Sequence, residues 1–228
     1  MDRECQPLKL KLALELLVNC YRPGTGKTIT IVEAMLQILA LRSDSKILAC
    51  APSNSAADLI ALRLASRLGP DQLFRFYAPS RSIDSMPDGL ENYVYSDDSG
   101  TFTIPPDNDL AKFRVVVATC QSGSIAHCIG LPRGLFTHIF IDEAGQATEP
   151  ETMVSIRTMA DKQTNVVLSG DPKQLGPIIR SKVVMELAME LHLEHSYLER
   201  LMTRDAYDLK HYHSKRYGRT IDIFLLPS

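Results

Sequence analysis

No stretch of the sequence approaches the roughly 18 consecutive apolar residues that a membrane-spanning helix needs, so no helical span is indicated. No Cys-x-x-Cys pair occurs either. Cys5, Cys20, Cys50, Cys120 and Cys128 are odd in number and far apart. That spacing argues against a zinc site and against a disulfide framework, and for free buried thiols in a reducing compartment. A basic excess is missing as well: Lys+Arg number 25 against 27 Asp+Glu, a net charge of −2. A chain that gripped nucleic acid by charge alone would be basic. The balance still allows a local groove that holds a sugar-phosphate backbone. The opening Met1-Asp2-Arg3-Glu4 does not read as a signal peptide, and the mildly apolar stretch from Leu8 to Val18 is broken by Lys9, Lys11 and Glu15. What remains is 45% hydrophobic and 23% charged over 228 residues. That is ordinary for a soluble globular protein of one large domain or two small ones.

The most informative stretch is Pro23-Gly24-Thr25-Gly26-Lys27-Thr28. It has the make-up of the second part of a phosphate-binding P-loop. Backbone N–H groups must close around a phosphate chain, and Gly24 and Gly26 carry no Cβ to hold the phosphate off. Lys27 supplies a point charge for the β- and γ-phosphates, and Thr28 Oγ1 a ligand for Mg²⁺. The loop should open a helix whose N-terminal N–H groups face the anion. From Thr28 to Leu41, Ile31, Ala34, Met35, Ile38 and Leu39 fall on one helical face. The full pattern begins with a glycine, and Tyr21 stands at that position. A glycine-threonine turn before an ordinary helix would explain residues 23–28 taken alone.

The rest of the chain alternates. Residues 1–13 find no place. Leu14 to Asn19 is the candidate strand feeding the loop. Lys46–Ala51, Leu73–Tyr77, Arg114–Thr119, Phe136–Asp142 and Asn165–Ser169 read as buried strands. Between and after them, Ala56–Leu68, Gly123–Ile129, Glu149–Ala160, Val183–Leu191 and Tyr197–Arg204 read as helices. Strands alternating with helices predict an α/β fold with a parallel sheet and helices on both faces. Ligands bind at the carboxyl ends of such strands. The P-loop, Pro52–Asn54, Thr119, Asp142-Glu143 and Gly170-Asp171 all follow strands, so one sheet edge should collect them.

Residues 79–112 interrupt the rhythm. Asp84, Asp88, Glu91, Asp97, Asp98, Asp107 and Asp109 face Arg81 alone between Ser80 and Ala111. Tyr93-Val94-Tyr95 and Thr101–Ile104 flank Ser-Asp-Asp-Ser-Gly, a hairpin signal. An acidic, solvated surface hairpin is expected. Its aromatic residues could stack on bases, but the local charge repels phosphate.

Two further segments carry chemistry. Asp142-Glu143 follows an apolar strand, where Asp142 can hold the Mg²⁺ that Thr28 touches and Glu143 can act as general base on a water. Acids after strands are common, and the upstream P-loop is what makes this pair informative. Gly170-Asp-Pro-Lys-Gln-Leu-Gly-Pro177 places Gln174 among rigidifying residues. An amide there can donate to a γ-phosphate and accept from the attacking water. A P-loop kinase or a sugar-nucleotide enzyme would explain residues 23–28 and leave the Gln174 segment without a role.

Four segments together resemble motifs I, Ia, II and III of superfamily 1 helicases: Pro-Gly-Thr-Gly-Lys-Thr (23–28), Ala-Pro-Ser-Asn-Ser-Ala-Ala-Asp (51–58), Ile-Asp-Glu-Ala-Gly-Gln-Ala (141–147) and Gly-Asp-Pro-Lys-Gln-Leu-Gly-Pro (170–177). They match the superfamily 1B branch of the nonsense-mediated-decay helicase. The segments 73–81 and 136–145 look closest to the Armitage/Mov-ten group of RNA-silencing helicases. The resemblance covers about residues 20–205. It implies a RecA-like fold, ATP hydrolysis with Mg²⁺, and 5′-to-3′ movement on single-stranded RNA. It implies that Pro23 to Thr28, Asp142 and Gln174 bind the nucleotide, that Thr28 and Asp142 ligate the metal, and that Lys27, Glu143 and Gln174 are catalytic. Pro52, Ser53, Asn54 and Thr119 would lie along the RNA backbone. RNA-silencing or RNA-decay proteins are the partners it implies, with no membrane, and the cytoplasm the setting.

The departures from the family are specific. Tyr21-Arg22-Pro23 replaces Gly-Pro-Pro. Gln6 is the one candidate for the glutamine that reads adenine. His211-Tyr-His-Ser-Lys215 resembles a degraded opening of a second RecA-like domain, with His213 where an arginine would face the γ-phosphate. The expected organisation is an unplaced segment 1–13, a RecA-like helicase domain 14–205 with its insertion 79–112, and the start of a second domain at 206–228. Two readings stand: an ATP-dependent RNA helicase core, or a non-catalytic remnant that binds nucleotide or RNA weakly.

Overall fold

The computed structural model describes residues 26–105, 110–171, 176–178 and 194–202. The candidate strand at 14–19, the candidate helix at 183–191 and the segment 206–228 lie outside them. So do the site residues Pro23, Gly24, Thr25 and Gln174.

Helix α1 (Lys27–Leu41) buries Ile31, Val32, Ala34, Met35, Ile38 and Leu39, the stripe its periodicity predicts. Strand β1 (Ile47–Ala51) follows, then helix α2 (Asn54–Ala65) and the short strand β2 (Leu73–Arg75). After the insertion come β3 (Val115–Thr119), a 3-10 turn at Gln121–Ser124, and helix α3 (Ile125–Cys128). Strand β4 (His138–Ile141), helix α4 (Glu149–Met159), strand β5 (Asn165–Leu168) and helix α5 (Tyr197–Met202) complete the order. The five strands form one sheet in the order β2-β3-β1-β4-β5, and every pairing is parallel.

Both sheet faces are covered, because successive side chains of a strand point to opposite sides. Ile47, Ala49 and Ala51 of β1 join Val115, Val117, Phe140 and Val167 in a core beneath α1 and α2. Leu48 and Cys50 join Val116, Ala118, Ile139, Ile141 and Leu168 in a second core with Ile156 and Met159 of α4. Each fully buried Leu, Ile or Val contributes about 1.5–3 kcal/mol relative to exposure. Helix α4 starts at a capping box: Thr148 Oγ1 accepts from the Glu151 N–H at 3.4 Å, and Glu151 Oε2 accepts from the Thr148 N–H at 2.9 Å. Arg200 of α5 donates to both carboxylate oxygens of Glu149, at 2.6 and 2.5 Å, and ties α5 to α4.

Several expectations need correction. Helix α2 begins at Asn54 rather than Ala56 and ends at Ala65 rather than Leu68, because Ser53 Oγ accepts from the Ala56 N–H at 3.2 Å and sets the cap earlier. The β2 strand stops at Arg75, and within 123–129 only Ile125–Cys128 is α-helical. Cys50 and Cys120 are buried free thiols as expected, but Cys128 is exposed.

The insertion is also more than a solvated hairpin. Asp84, Asp88, Glu91, Asp97 and Asp98 are exposed. A tight turn closes with one antiparallel bridge, Ser96 to Phe102, and Asp97 accepts the Ser99 and Thr101 N–H groups, each at 2.9 Å. Its other side is apolar and buried. Phe102 packs on Tyr77 with ring centroids 4.6 Å apart, and Leu90 enters the core of α1 and α2. The Tyr93 hydroxyl donates to the Ala65 and Leu68 carbonyls and so covers the C-terminal end of α2. Tyr95 packs edge-on against Phe74 with ring centroids 5.6 Å apart while remaining exposed.

Candidate active site

Parallel pairing brings the carboxyl ends of all five strands to one edge. Lys27 and Thr28 open α1 there, because Gly26 turns the chain with φ 83°, ψ 25°. That left-handed conformation is glycine's own, and it adds a second reason for Gly26 beside the close approach of a phosphate. Asp142 follows β4, and the hydroxyl of Thr28 donates to Asp142 Oδ2 at 2.9 Å across 114 residues of sequence. Asp142 and Lys27 are both buried.

Burial pushes the Asp142 carboxyl up from its ordinary value. Hydrogen bonds from Thr28, the Glu143 N–H and Ser169, together with the Lys27 charge, pull the other way. Glu143 is also raised, first by burial and then by the Asp142 carboxylate, with Lys27 opposing and Asp171 adding to the rise. Glu143 has φ 52°, and among the described residues no other side-chain-bearing residue has a positive φ. A bulky residue held in the left-handed region is strained and persists only where its surroundings over-determine it. The surroundings are on both sides: the Glu143 N–H donates to Asp142 Oδ1 at 3.0 Å, and the Ala144 N–H donates to the Ser169 carbonyl at 2.7 Å. Gln146 Nε2 donates to Glu143 Oε2 at 3.2 Å.

A hydroxyl and a carboxylate at hydrogen-bond distance, set beside a phosphate-type loop, are the hard oxygen donors that Mg²⁺ takes while keeping most of its waters. The residues present therefore fit that ion. Beside them, a lysine at a helix N-terminus suits a polyphosphate.

The second cluster lies at the same edge. Ala51 and Thr119 are register partners, so Pro52, Ser53 and Asn54 emerge beside Thr119. The Ser53 hydroxyl is engaged as the cap of α2, and the Thr119 hydroxyl donates to Ser122 Oγ at 3.0 Å while accepting from the Ser122 N–H. Asn54 is exposed at the first position of α2. Strand β1 separates the two clusters and touches both. Its Cys50 carbonyl accepts from the Asp142 N–H at 2.9 Å, and its Ala51 carbonyl from the Cys120 N–H at 2.8 Å.

Sequence reasoning missed a buried charge network behind Asn54. Arg75 has no exposed surface, and Asp58 on α2 is buried beside it. Arg75 Nε and Nη2 reach Asp58 Oδ1 at 2.9 and 2.8 Å. Tyr77 and Arg81 also donate to Asp58, at 2.7 and 3.0 Å, and both guanidinium groups lie over the Tyr77 ring. The available signal was a lone arginine between two phenylalanines in an apolar strand. A charge at such a position has to be paired.

The family profile described as AAA domain matches residues 17–93 and 102–182. Human RNA helicase Mov10l1 is 44% identical over 187 residues, which is 81% of this chain and 14% of that protein. The chicken putative helicase MOV-10 is 42% identical over 193 residues, 81% of this chain and 20% of that protein. The Drosophila melanogaster probable RNA helicase armi is 36% identical over 203 residues, 81% of this chain and 17% of that protein. The chain thus spans one fifth or less of the length of these relatives.

Proposed function

The chain belongs to the AAA-domain family, among the RNA helicases it matches, and from that premise we propose that it binds and hydrolyses ATP with Mg²⁺ while holding single-stranded RNA at the same sheet edge. The observation that carries this reading is the 2.9 Å bond between Thr28 of the loop and Asp142 of the strand end, with Glu143 fixed beside them in a strained turn.

In this reading Pro23 to Thr28 enclose the phosphates, and Lys27 meets the β- and γ-oxygens. Thr28 and Asp142 would hold the Mg²⁺, which would supply positive charge to neutralise the charge that develops on the phosphates. Glu143 takes a proton from the attacking water; burial and the neighbouring carboxylate raise its basicity. Gln174 reads the γ-phosphate. Pro52, Ser53, Asn54 and Thr119 line the RNA backbone, using short polar groups in place of a basic field. Movement is 5′-to-3′, as the resemblance implies. Residues 14–205 form the RecA-like domain, and 206–228 begin a second one. The partners are RNA-silencing or RNA-decay proteins, and the setting is the cytoplasm.

One observation favours the second reading, a binding remnant without turnover: Tyr21-Arg22 stands where the loop pattern has Gly and a flexible residue. The deciding experiment is Mg²⁺-dependent ATP hydrolysis by the purified chain, with and without single-stranded RNA, against Lys27→Ala. RNA-stimulated turnover that vanishes in Lys27→Ala supports the enzyme. Turnover equal to that of Lys27→Ala supports the remnant.

A further inference from the structure

The Arg75 network reaches the proposed RNA edge. Arg75 Nη2 donates to Asn54 Oδ1 at 3.0 Å, while Nη1 donates to the Phe76 carbonyl at 2.6 Å and the Val117 carbonyl at 3.4 Å. Asn54 and Asp58 are one turn apart on α2, so one guanidinium meets both. An arginine has donors and no acceptor. The amide oxygen of Asn54 must therefore face Arg75. Its NH₂ group is then turned away from the network, and among the described residues nothing accepts from it. Asn54 is exposed. A phosphodiester offers only acceptors, so an outward NH₂ suits it and an outward carbonyl would repel it.

We propose that Arg75 is a positioning residue for RNA binding: it locks the Asn54 side-chain amide with its NH₂ group outward, toward a backbone phosphate. The proposal rests on the reading that Asn54 lies along RNA. Asp58 makes the lock rigid, because it holds Nε and Nη2 together and leaves the guanidinium one orientation. Arg75 also contacts the Val117 carbonyl, two residues before Thr119 on β3. One buried side chain thus braces both segments of the RNA edge. A lysine at this position keeps the charge for Asp58 but lacks the fork that reaches Asn54.

The test measures the affinity of a fluorescent oligouridylate for the full chain and four variants: Asn54→Ala, Asn54→Asp, Arg75→Lys and the double variant Asn54→Ala/Arg75→Lys. Loss of one hydrogen bond to a charged oxygen weakens binding by about tenfold. Asn54→Ala and Arg75→Lys should each do so, and the double variant should bind no more weakly than Asn54→Ala. Asn54→Asp keeps the bond to Arg75, melts no lower than the parent, and should bind RNA more weakly than Asn54→Ala because it turns an acceptor outward. Additive losses in the double variant would overturn the proposal, since Arg75 would then act through the fold at large. Parent-like RNA binding by Asn54→Asp would overturn it as well. A parent chain that does not bind the oligonucleotide removes the RNA reading and the proposal together, whereas a parent that binds beside indifferent variants removes the proposal alone.

Discussion

Gly170 and Gly145 meet backbone to backbone. A Cβ on Gly170 would sit 2.7 Å from the Gly145 nitrogen, and one on Gly145 would sit 2.8 Å from the Asp171 carbonyl oxygen. The loops after β4 and β5 are therefore interlocked with no room for a methyl group. Gly170→Ala must push the Asp142-Glu143 turn away from Asp171. The expected cost is about 1–3 kcal/mol in denaturant unfolding, with a larger proportional loss in ATP turnover than in nucleotide affinity. Parent-like unfolding and turnover would show that the two loops have slack.

Asp142 is a buried carboxylate whose charged form is disfavoured by its surroundings. Asp142→Asn removes that burden and keeps the shape. The nucleotide-free chain should melt at the parent temperature or above. The stabilisation by Mg²⁺-nucleotide, about 2.7 kcal/mol at a hundredfold excess over Kd, should disappear. Thermal melting with and without Mg²⁺-ADP reads both arms.

His138 predicts a pH dependence far from the site. Burial, with Arg42 adding to it, lowers its pKa from 6.5 to about 4. The neutral ring is satisfied on both sides, with Nδ1 at 2.9 Å from Thr137 Oγ1 and Nε2 at 3.4 Å from Asn165 Nδ2. Thr137 Oγ1 donates onward to the Lys46 carbonyl, which leaves it to accept from Nδ1–H. Between pH 6.5 and about 4 the unfolded chain binds the extra proton, so stability falls as pH falls through that window. The slope is roughly 1.4 kcal/mol per unit. Urea unfolding at several pH values should show it, and His138→Asn should flatten it.

The capping box gives a local test. Thr148→Ala deletes the acceptor for the Glu151 N–H. It should cost about 1 kcal/mol of stability, and Glu151→Ala in the same background should cost little more, because the two bonds form one reciprocal unit. A double-variant cycle in denaturant measures the coupling.

Much of the fold was legible because its signals are local. The β-branched and apolar runs at 47–51, 115–119, 138–141 and 165–168 are strands since nothing in them competes for the backbone, and the 3.6-residue stripe from Ile31 to Leu39 can only be a buried helix face. Asp142 and Thr28 were legible as a pair because a loop chemistry and a strand-end acid occur in one alternation. The α2 boundary was misread because Ser53 and Ser55 are both plausible caps by type, and only the fold selects Ser53 Oγ for the Ala56 N–H. The burial of Phe102 and Leu90 was illegible beneath five exposed acids, since composition cannot say which side of a hairpin faces the core.

The alternation of strands and helices, the Gly26-Lys27-Thr28 loop opening α1, and the acid pair after β4 are written in the chain, because each depends on a few adjacent residues. The strand order, the interlock of Gly145 with Gly170, and the pairing of Arg75 with Asp58 and Asn54 come from packing. These join residues 17 to 25 positions apart. Their partners are chosen by where the sheet places them, and a buried guanidinium takes whichever carboxylate and amide the packing brings within reach.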